Sequence, residues 1–323
     1  MAVKEQVLET LERNRGVYLS GEQLADTLHV SRAAVWKAIR ALSENGYSID
    51  AVPNRGYCLS DQTDILSAAG IQKYLSPRAQ AVALSAFPTV TSTNTLLKEQ
   101  AAAGAPEFTV IAASQQTAGK GRRGRSFFSP SGTGAYISIL LRPKLPAERA
   151  TLITTAAAAA MAESIESVSE LHPMIKWVND LFLDGKKVCG ILTEASMDME
   201  SGSMEYAILG AGVNVYAPEG GFPPEISDLA GCLFPARRSD MLNRLTAAFL
   251  NHFLDYYDTL DEGAFLTSYR SRSLALGRRV QVLRPDGSVP AQVLSIDDQC
   301  RLLVRYDDGT EGLLSSGEIS IRL

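Results

Sequence analysis

Seven consecutive residues, Gly119-Lys120-Gly121-Arg122-Arg123-Gly124-Arg125, carry the strongest chemical signal in the chain. Four cations and three glycines in one run cannot pack in a core, because burying unpaired charge is prohibitive. Glycines let the backbone approach a ligand and present its amides, while the cations neutralise phosphate or carboxylate. The G-x-x-x-x-G-K-[ST] spacing of a Walker A loop is absent. A dinucleotide fingerprint is excluded too, since no acidic residue follows about twenty positions on at the end of a strand. By itself the run fits a nucleic-acid contact, a cage for an anion, or a loop whose charges are solvated. Polar and cationic clusters flank it. Upstream are Ser92-Thr93-Asn94 and Gln116-Thr117; downstream are Lys176-Trp177-Val178-Asn179-Asp180, Lys187-Val188-Cys189-Gly190 and Gly210-Ala211-Gly212-Val213-Asn214-Val215.

The elements that must position these clusters alternate. β-rich runs cover 81–87, 108–113, 135–141, 174–178, 181–183, 188–195 and 205–215, and helical stretches cover 93–103, 147–168 and 239–260. Several neighbouring strands are separated only by tight turns such as Asp184-Gly185. The expectation is an α+β fold whose central sheet is mixed or antiparallel with flanking helices, not doubly wound and parallel.

The first sixty residues form a unit of their own. Val3, Val7, Leu8 and Leu11 recur at helical spacing. Ser20-Gly21-Glu22-Gln23 has the form of a capping box, and Leu24 and Leu28 line the short helix behind it. After a turn at His29-Val30, Ser31 caps a third helix whose stripe is Val35, Ala38, Ile39 and Leu42, with Gly46 at its C-terminal end. Pro53-Asn54-Arg55-Gly56 between β-rich flanks reads as a hairpin. Helix, helix, turn, helix, hairpin is the winged helix-turn-helix order. Ser31, Arg32, Ala33, Trp36, Lys37 and Arg40 then belong to a face suited to a DNA major groove, with Arg55 at the wing tip reaching a phosphate or the minor groove. The competing reading is a protein-interaction module with a solvated charged face, and Trp36 suits packing as well as DNA contact. A polar joint over 61–75 leads onward, placing a boundary near 62.

At 323 residues the chain has room for two or three domains, and 46% apolar content supplies a sizeable core. The net charge of −5 excludes a uniformly basic coat protein, so nucleic-acid contact must come from a local surface. Cys58, Cys189, Cys232 and Cys300 lie far apart, which argues against a zinc knuckle or disulfide framework. His29, His172 and His252 are equally scattered, and no residue is assigned as a metal ligand. The charged N-terminus lacks a signal-peptide core, and the longest apolar run is too short to span a bilayer, so the expectation is a cytoplasmic protein without membrane contact.

Six motifs in this order resemble biotin–protein ligases, and with the winged helix they resemble the bifunctional ligases that also repress biotin genes. Leu276-Gly277-Arg278 and the closing Gly317-Glu318-Ile319-Ser320-Ile321-Arg322 are similar to that family's SH3-like end domain. The resemblance spans essentially the whole chain. It implies a winged helix-turn-helix over 1–62, a class II synthetase-like catalytic domain over 63–272 and an SH3-like β-barrel over 273–323. It implies further that ATP and biotin react with Mg²⁺ present to give biotinyl-5′-AMP and pyrophosphate. Biotin then passes to a lysine of a biotin carboxyl-carrier domain.

By the same resemblance Ser92, Thr93, Asn94 and Gln116 meet biotin's polar head, Lys120, Gly121 and Arg122 form the biotin- and phosphate-facing loop segment, and Gly190 is a further biotin-binding position. Lys187 draws the carboxylate toward the α-phosphorus, and Arg122 and Arg125 hold carboxylate and triphosphate oxygens in line. Arg123 is either part of this or merely solvated. Phe127, Lys176, Asn179, Asn214 and Arg322 match nucleotide-binding positions. Two positions depart from the pattern: Phe127 stands where the family usually has Trp, and Val178 replaces a usual Pro, which loosens that turn. The charged loop orders around the adenylate and completes a homodimer, coupling operator DNA binding to ligand. Two other readings remain: a ligand-sensing repressor without catalysis, and a lipoate or octanoate ligase.

Overall fold

The computed structural model describes residues 2–146, 149–197, 204–284, 287–315 and 318–320. Three helices open the chain: α1 (Val3–Arg13), α2 (Gly21–Leu28) and α3 (Arg32–Glu44). The capping box forms: Gln23 N–H donates to Ser20 Oγ at 3.0 Å and Ser20 N–H to Gln23 Oε1 at 2.8 Å. Ser31 Oγ caps α3 by accepting the Ala34 N–H. Val35, Ala38, Ile39 and Leu42 pack against Val7, Leu11, Leu24 and Leu59 in a separate small core. Strands β1 (Ile49–Val52) and β2 (Gly56–Leu59) pair antiparallel as the wing. Gly56 has φ +101°, and a Cβ there would lie 2.1 Å from the Leu19 carbonyl oxygen, so the wing closes on the helices only with glycine.

After α4 (Ala68–Gln72), the central region contributes β3 (Ala83–Phe87), α5 (Thr93–Ala102), β4 (Thr109–Ala113), β5 (Gly134–Leu141), α6 (Ala150–Val168), β6 (Met174–Lys176), β7 (Asp180–Leu183), β8 (Lys186–Met197), β9 (Met204–Asn214), α7 (Met241–Asp258) and α8 (Leu266–Ser271). The sheet order is β3-β4-β5-β9-β8-β7-β6. Among the described strand pairs of this sheet only β3–β4 is parallel, so the sheet is mixed, as the tight turns require. β4 and β5 are buried along their whole length, which is why they read as largely apolar runs broken inside only by Ser138. Asp184 (φ 49°) and Gly185 (φ 78°) make the left-handed turn that joins β7 to β8.

The sheet's two faces differ. α6 and α7 cover one, where the alanines 156–160 let α6 approach closely and Thr154 and Thr193 hydroxyls meet at 2.7 Å. α5 covers part of the other face and leaves the remainder to the site described below. The helical expectation over 147–168 begins at two residues outside the described set, and α6 itself starts at Ala150. The strand expected over 174–178 stops at Lys176, followed by a cis peptide between Trp177 and Val178. That turn is not loose, contrary to the sequence expectation: Val178 is buried, and the Tyr269 hydroxyl donates to its carbonyl at 3.0 Å.

The C-terminal strands β10 (Arg279–Arg284), β11 (Gly287–Ile296), β12 (Leu302–Tyr306), β13 (Glu311–Leu314) and β14 (Glu318–Ser320) form an antiparallel sheet in the order β13-β12-β11-β10-β14. Backbone bonds from Ile175 N to Arg272 O (2.7 Å) and from Leu274 N to Ile175 O (2.8 Å) attach it beside β6. Trp177 Nε1 adds a bond to the Cys300 carbonyl at 2.9 Å, and one apolar core runs through both regions.

The winged helix is joined to the centre by a buried square of charge. Lys73 Nζ lies 2.6 Å from both Glu12 Oε2 and Asp240 Oδ2, while Arg15 bonds Glu12 at 2.8 Å and Asp240 at 2.9 Å. Among the described residues, no helix is long and apolar enough to cross a membrane.

Candidate functional site

A cavity of about 280 Å³ opens on the sheet face that α5 leaves uncovered. Its polar end is the N-terminus of α5. Ser92 is the N-cap, and Thr93 and Asn94 open the first turn. Gln116 Oε1 accepts the Thr93 N–H at 2.9 Å, and Gln116 Nε2 donates to Ser129 Oγ at 3.1 Å, so the amide has one defined orientation. Asn94 is buried, with its Nδ2 donating to Glu194 Oε2 at 2.7 Å and its Oδ1 2.6 Å from the Ser138 hydroxyl. It sits directly on Gly210, where a Cβ would come within 2.2 Å of Asn94 Oδ1.

The cationic end is the glycine loop. The Gly121 N–H donates to the Arg125 carbonyl at 2.7 Å and the Phe127 N–H to the Gly119 carbonyl at 2.9 Å, folding the run into a tight loop. Arg123 takes left-handed φ (55°) at its turn and is exposed, outside the cavity lining. Lys120, Gly121, Arg122 and Arg125 all line the cavity. Arg122 Nη1 donates to Asn179 Oδ1 at 2.9 Å; Asn179 Nδ2 donates to Asp180 Oδ1 at 3.0 Å and to the Ile191 carbonyl at 2.8 Å. Asp180 in turn pairs with Lys187 Nζ at 2.7 Å. A continuous chain of charge and amide thus runs from the loop to the lysine. Lys176 completes this wall, its ammonium 5.6 Å from the Phe182 ring centroid.

Phe127 forms part of the floor. Its ring lies on Gly190 and Gly212, where added Cβ atoms would approach ring carbons to 3.1 and 2.7 Å, and meets Tyr136 edge-on at 6.3 Å. Two glycines therefore make the seat for one aromatic ring.

Of the sequence-derived site residues that the structure describes, Asn214 is not in the cavity lining. Asn214 Nδ2 donates to the Gly231 carbonyl at 3.0 Å and holds the 229–231 segment beside Lys187, whose N–H bonds the Leu229 carbonyl at 2.7 Å. Arg322 lies outside the described residues. Residues that sequence reasoning passed over include Ser129, Ser138, Glu194 and Leu283, the last reaching the cavity from β10. Ser138 carried a signal: a polar residue inside an otherwise apolar, buried strand run must be hydrogen-bonded. Leu283 carried none.

Burial pushes the Cys189 thiol far up and the Cys300 thiol up to about 11, so neither is a ready nucleophile. Among the described residues, no group of three or more His, Cys, Asp or Glu side chains is placed to hold a metal.

On the winged helix, Arg32, Ala33, Trp36, Lys37 and Arg40 are all exposed, Trp36 by 52%. Trp36 therefore does not pack in the core. Arg40 pairs with Glu44 at 2.9 Å, and Arg55 stacks on the Tyr18 ring at 4.0 Å.

Comparison with known proteins agrees with this architecture. The biotin/lipoate A/B protein ligase family model matches residues 86–214, an HTH domain model 3–58, and the biotin protein ligase C-terminal domain model 275–322. The bifunctional ligase/repressor BirA of Bacillus subtilis is 31% identical over 97% of both chains. The chain belongs to the bifunctional ligase/repressor family. Its Escherichia coli member is 30% identical, covering 95% of this chain and 94% of that one. The biotin protein ligase of Aquifex aeolicus, solved in complex with biotin and ATP, superposes with a TM-score of 0.62 at 27% identity, covering 74% of this chain and 98% of that one.

Proposed function

We propose that this chain joins biotin to ATP, passes biotin to a lysine of a biotin carboxyl-carrier domain, and represses transcription through its winged helix. The observation that carries the ligase reading is the polarity of the cavity. A neutral hydrogen-bonding end at Ser92, Thr93 and Gln116 suits a urea, and a cationic end at Lys120, Arg122, Lys176 and Lys187 suits carboxylate and phosphate. With the ureido ring at α5, the acid's carboxylate lies toward Lys187. The carboxylate oxygen attacks the α-phosphorus, the bond to the bridging oxygen breaks, and pyrophosphate leaves. Lys187, Arg122 and Arg125 stabilise the charge that develops on the phosphoryl oxygens. The acceptor's neutral ε-amine then attacks the acyl carbon and AMP departs, with no covalent enzyme intermediate. Phe127, Lys176 and Asn179 flank the nucleotide side, Gly190 gives the bound acid room, and Asn94 supports the polar end from beneath.

Mg²⁺ fits only together with ATP. Asp180 is the sole carboxylate among the lining residues and is already paired with Lys187, so phosphate oxygens must supply most of the ligand set. With Asp180 and Asn179 at its edge, the ion would screen triphosphate charge.

The repressor reading rests on the exposed Arg32, Lys37 and Arg55 at the helix and wing. Adenylate orders the glycine loop, completes a homodimer surface, and so presents two winged helices to two operator half-sites in the cytoplasm. Biotin-dependent ATP–pyrophosphate exchange, with lipoate and octanoate as controls, tests the ligase. Exchange with biotin alone is expected; exchange only with the other acids corrects the substrate. No exchange with any acid leaves a ligand-sensing repressor.

A further inference from the structure

We infer that Glu194 is a positioning residue that fixes, through Asn94, Ser138 and Thr93, which hydrogen-bonding polarity the polar end of the cavity offers to its ligand. The inference rests on the biotin reading above and deepens it. A urea carries an acceptor oxygen and two N–H donors, so its site must not present the wrong group at either place. Side-chain amides and hydroxyls can rotate, and something must choose their orientation.

A carboxylate makes the choice here. Glu194, an acceptor only when ionised, receives the Asn94 Nδ2–H at 2.7 Å, so Asn94 Oδ1 is turned to Ser138. The Ser138 hydroxyl lies 2.6 Å from that oxygen and 2.7 Å from Thr93 Oγ1. It has one proton and Asn94 Oδ1 can only accept, so that proton goes to Asn94. The Thr93 contact is short enough to need a proton of its own, which Thr93 supplies; its other acceptor, Gln116 Oε1, is farther at 3.2 Å. Every proton in the series points toward Glu194. Thr93, a residue of the cavity lining, is thereby left with an Oγ1 whose free capacity is to accept, matched to a ureido N–H. The series is enclosed: Ser138 is fully buried, and Asn94 lies against Gly210, the β9 partner of Ser138, so its amide can reverse only in place, exchanging oxygen for nitrogen.

Glu194→Gln tests this, because the new amide can donate to Asn94 and let its oxygen face the wrong way. The expected result on the full-length protein is a rise of about tenfold in the biotin Kd by calorimetry and in the biotin KM of exchange, with the ATP KM moving less than twofold. The decisive variant is the reciprocal pair Asn94→Asp with Glu194→Gln. It swaps which side chain carries the N–H, conserves charge, and keeps an acceptor oxygen against Ser138. Recovery to within about threefold of wild type is expected, which mere loosening of the site would not produce. A biotin Kd unchanged by Glu194→Gln, or a reciprocal pair no better than the single variant, overturns the inference. Wild-type protein that binds biotin without supporting exchange refutes the ligase reading and leaves this one judged on Kd. Wild-type protein that binds no biotin refutes both.

Discussion

Lys187 gains its orientation from Asp180 and its backbone position from Leu229 and Gly231, so its ammonium is held in the cavity wall, where the proposed reaction brings the acid's carboxylate. Lys187→Ala should lower exchange by at least about 100-fold, in line with removing one preorganised charge from a transition state. The fold should survive, because the side chain is one-third exposed. A sensor without catalysis would show no exchange to lose. Gly212 makes a second prediction at this scale. Gly212→Ala would drive a Cβ to 2.7 Å from the Phe127 ring, and the ring's escape is into the cavity. Biotin KM should rise about tenfold, whereas Gly104→Ala, with nothing near its Cβ, should leave KM within twofold. Gly104 has φ +87°, so that control costs some stability.

Elements are held by a few ion pairs whose contexts differ. Arg272 at the end of α8 hydrogen-bonds Glu166 of α6 at 2.7 and 3.1 Å, and this holds the Glu166 carboxyl below its usual range. A depressed carboxylate stabilises the fold above its unfolded pKa, about 4.3, and the contribution disappears as pH falls through the lower folded value. Urea midpoints of wild type and Glu166→Gln should therefore differ at pH 6, and the difference should shrink as the pH falls below about 4. The square of Glu12, Arg15, Lys73 and Asp240 is far more buried, with Glu12 and Asp240 side chains 1% and 3% exposed. Burial works against the Arg15 charge, yet its acidic neighbours hold the guanidinium pKa above its usual value. Glu12→Ala leaves two buried cations short of a partner and should cost about 3–5 kcal/mol in thermal or urea unfolding. Apart from Glu12–Arg15, which lie three positions apart, these pairs were not visible beforehand, because their members are tens to hundreds of positions apart. The winged helix and most central helices, strands and turns were legible from local periodicity and capping residues, and the glycine loop from its composition, whereas α8 and the separate C-terminal strands were not. Roles deep in the sheet, such as that of Asn94, depend on which strands become neighbours.

At the scale of the whole molecule, the three regions share boundaries that matter for function. The C-terminal sheet lends Leu283 to the cavity and receives Trp177 Nε1 at Cys300, so catalysis should suffer when that sheet is destabilised. Arg55→Ala and Lys37→Ala should weaken operator binding while leaving exchange unchanged. Each should also reduce the slope of log affinity against log salt by about 0.9 if it removes one phosphate contact. Titrations of operator DNA at several salt concentrations would read both effects, and an unchanged affinity would point to the protein-interaction reading of that face.

The charge square sets a rule for anyone exchanging modules between such proteins. A foreign DNA-binding head that lacks counterparts of Glu12 and Arg15, grafted onto this ligase body, leaves Lys73 and Asp240 with only each other and an unmatched surface. Such a chimera needs both head residues transplanted along with the graft, or both body residues replaced by apolar ones of similar size. Changing one of the four at a time crosses intermediates worse than either end.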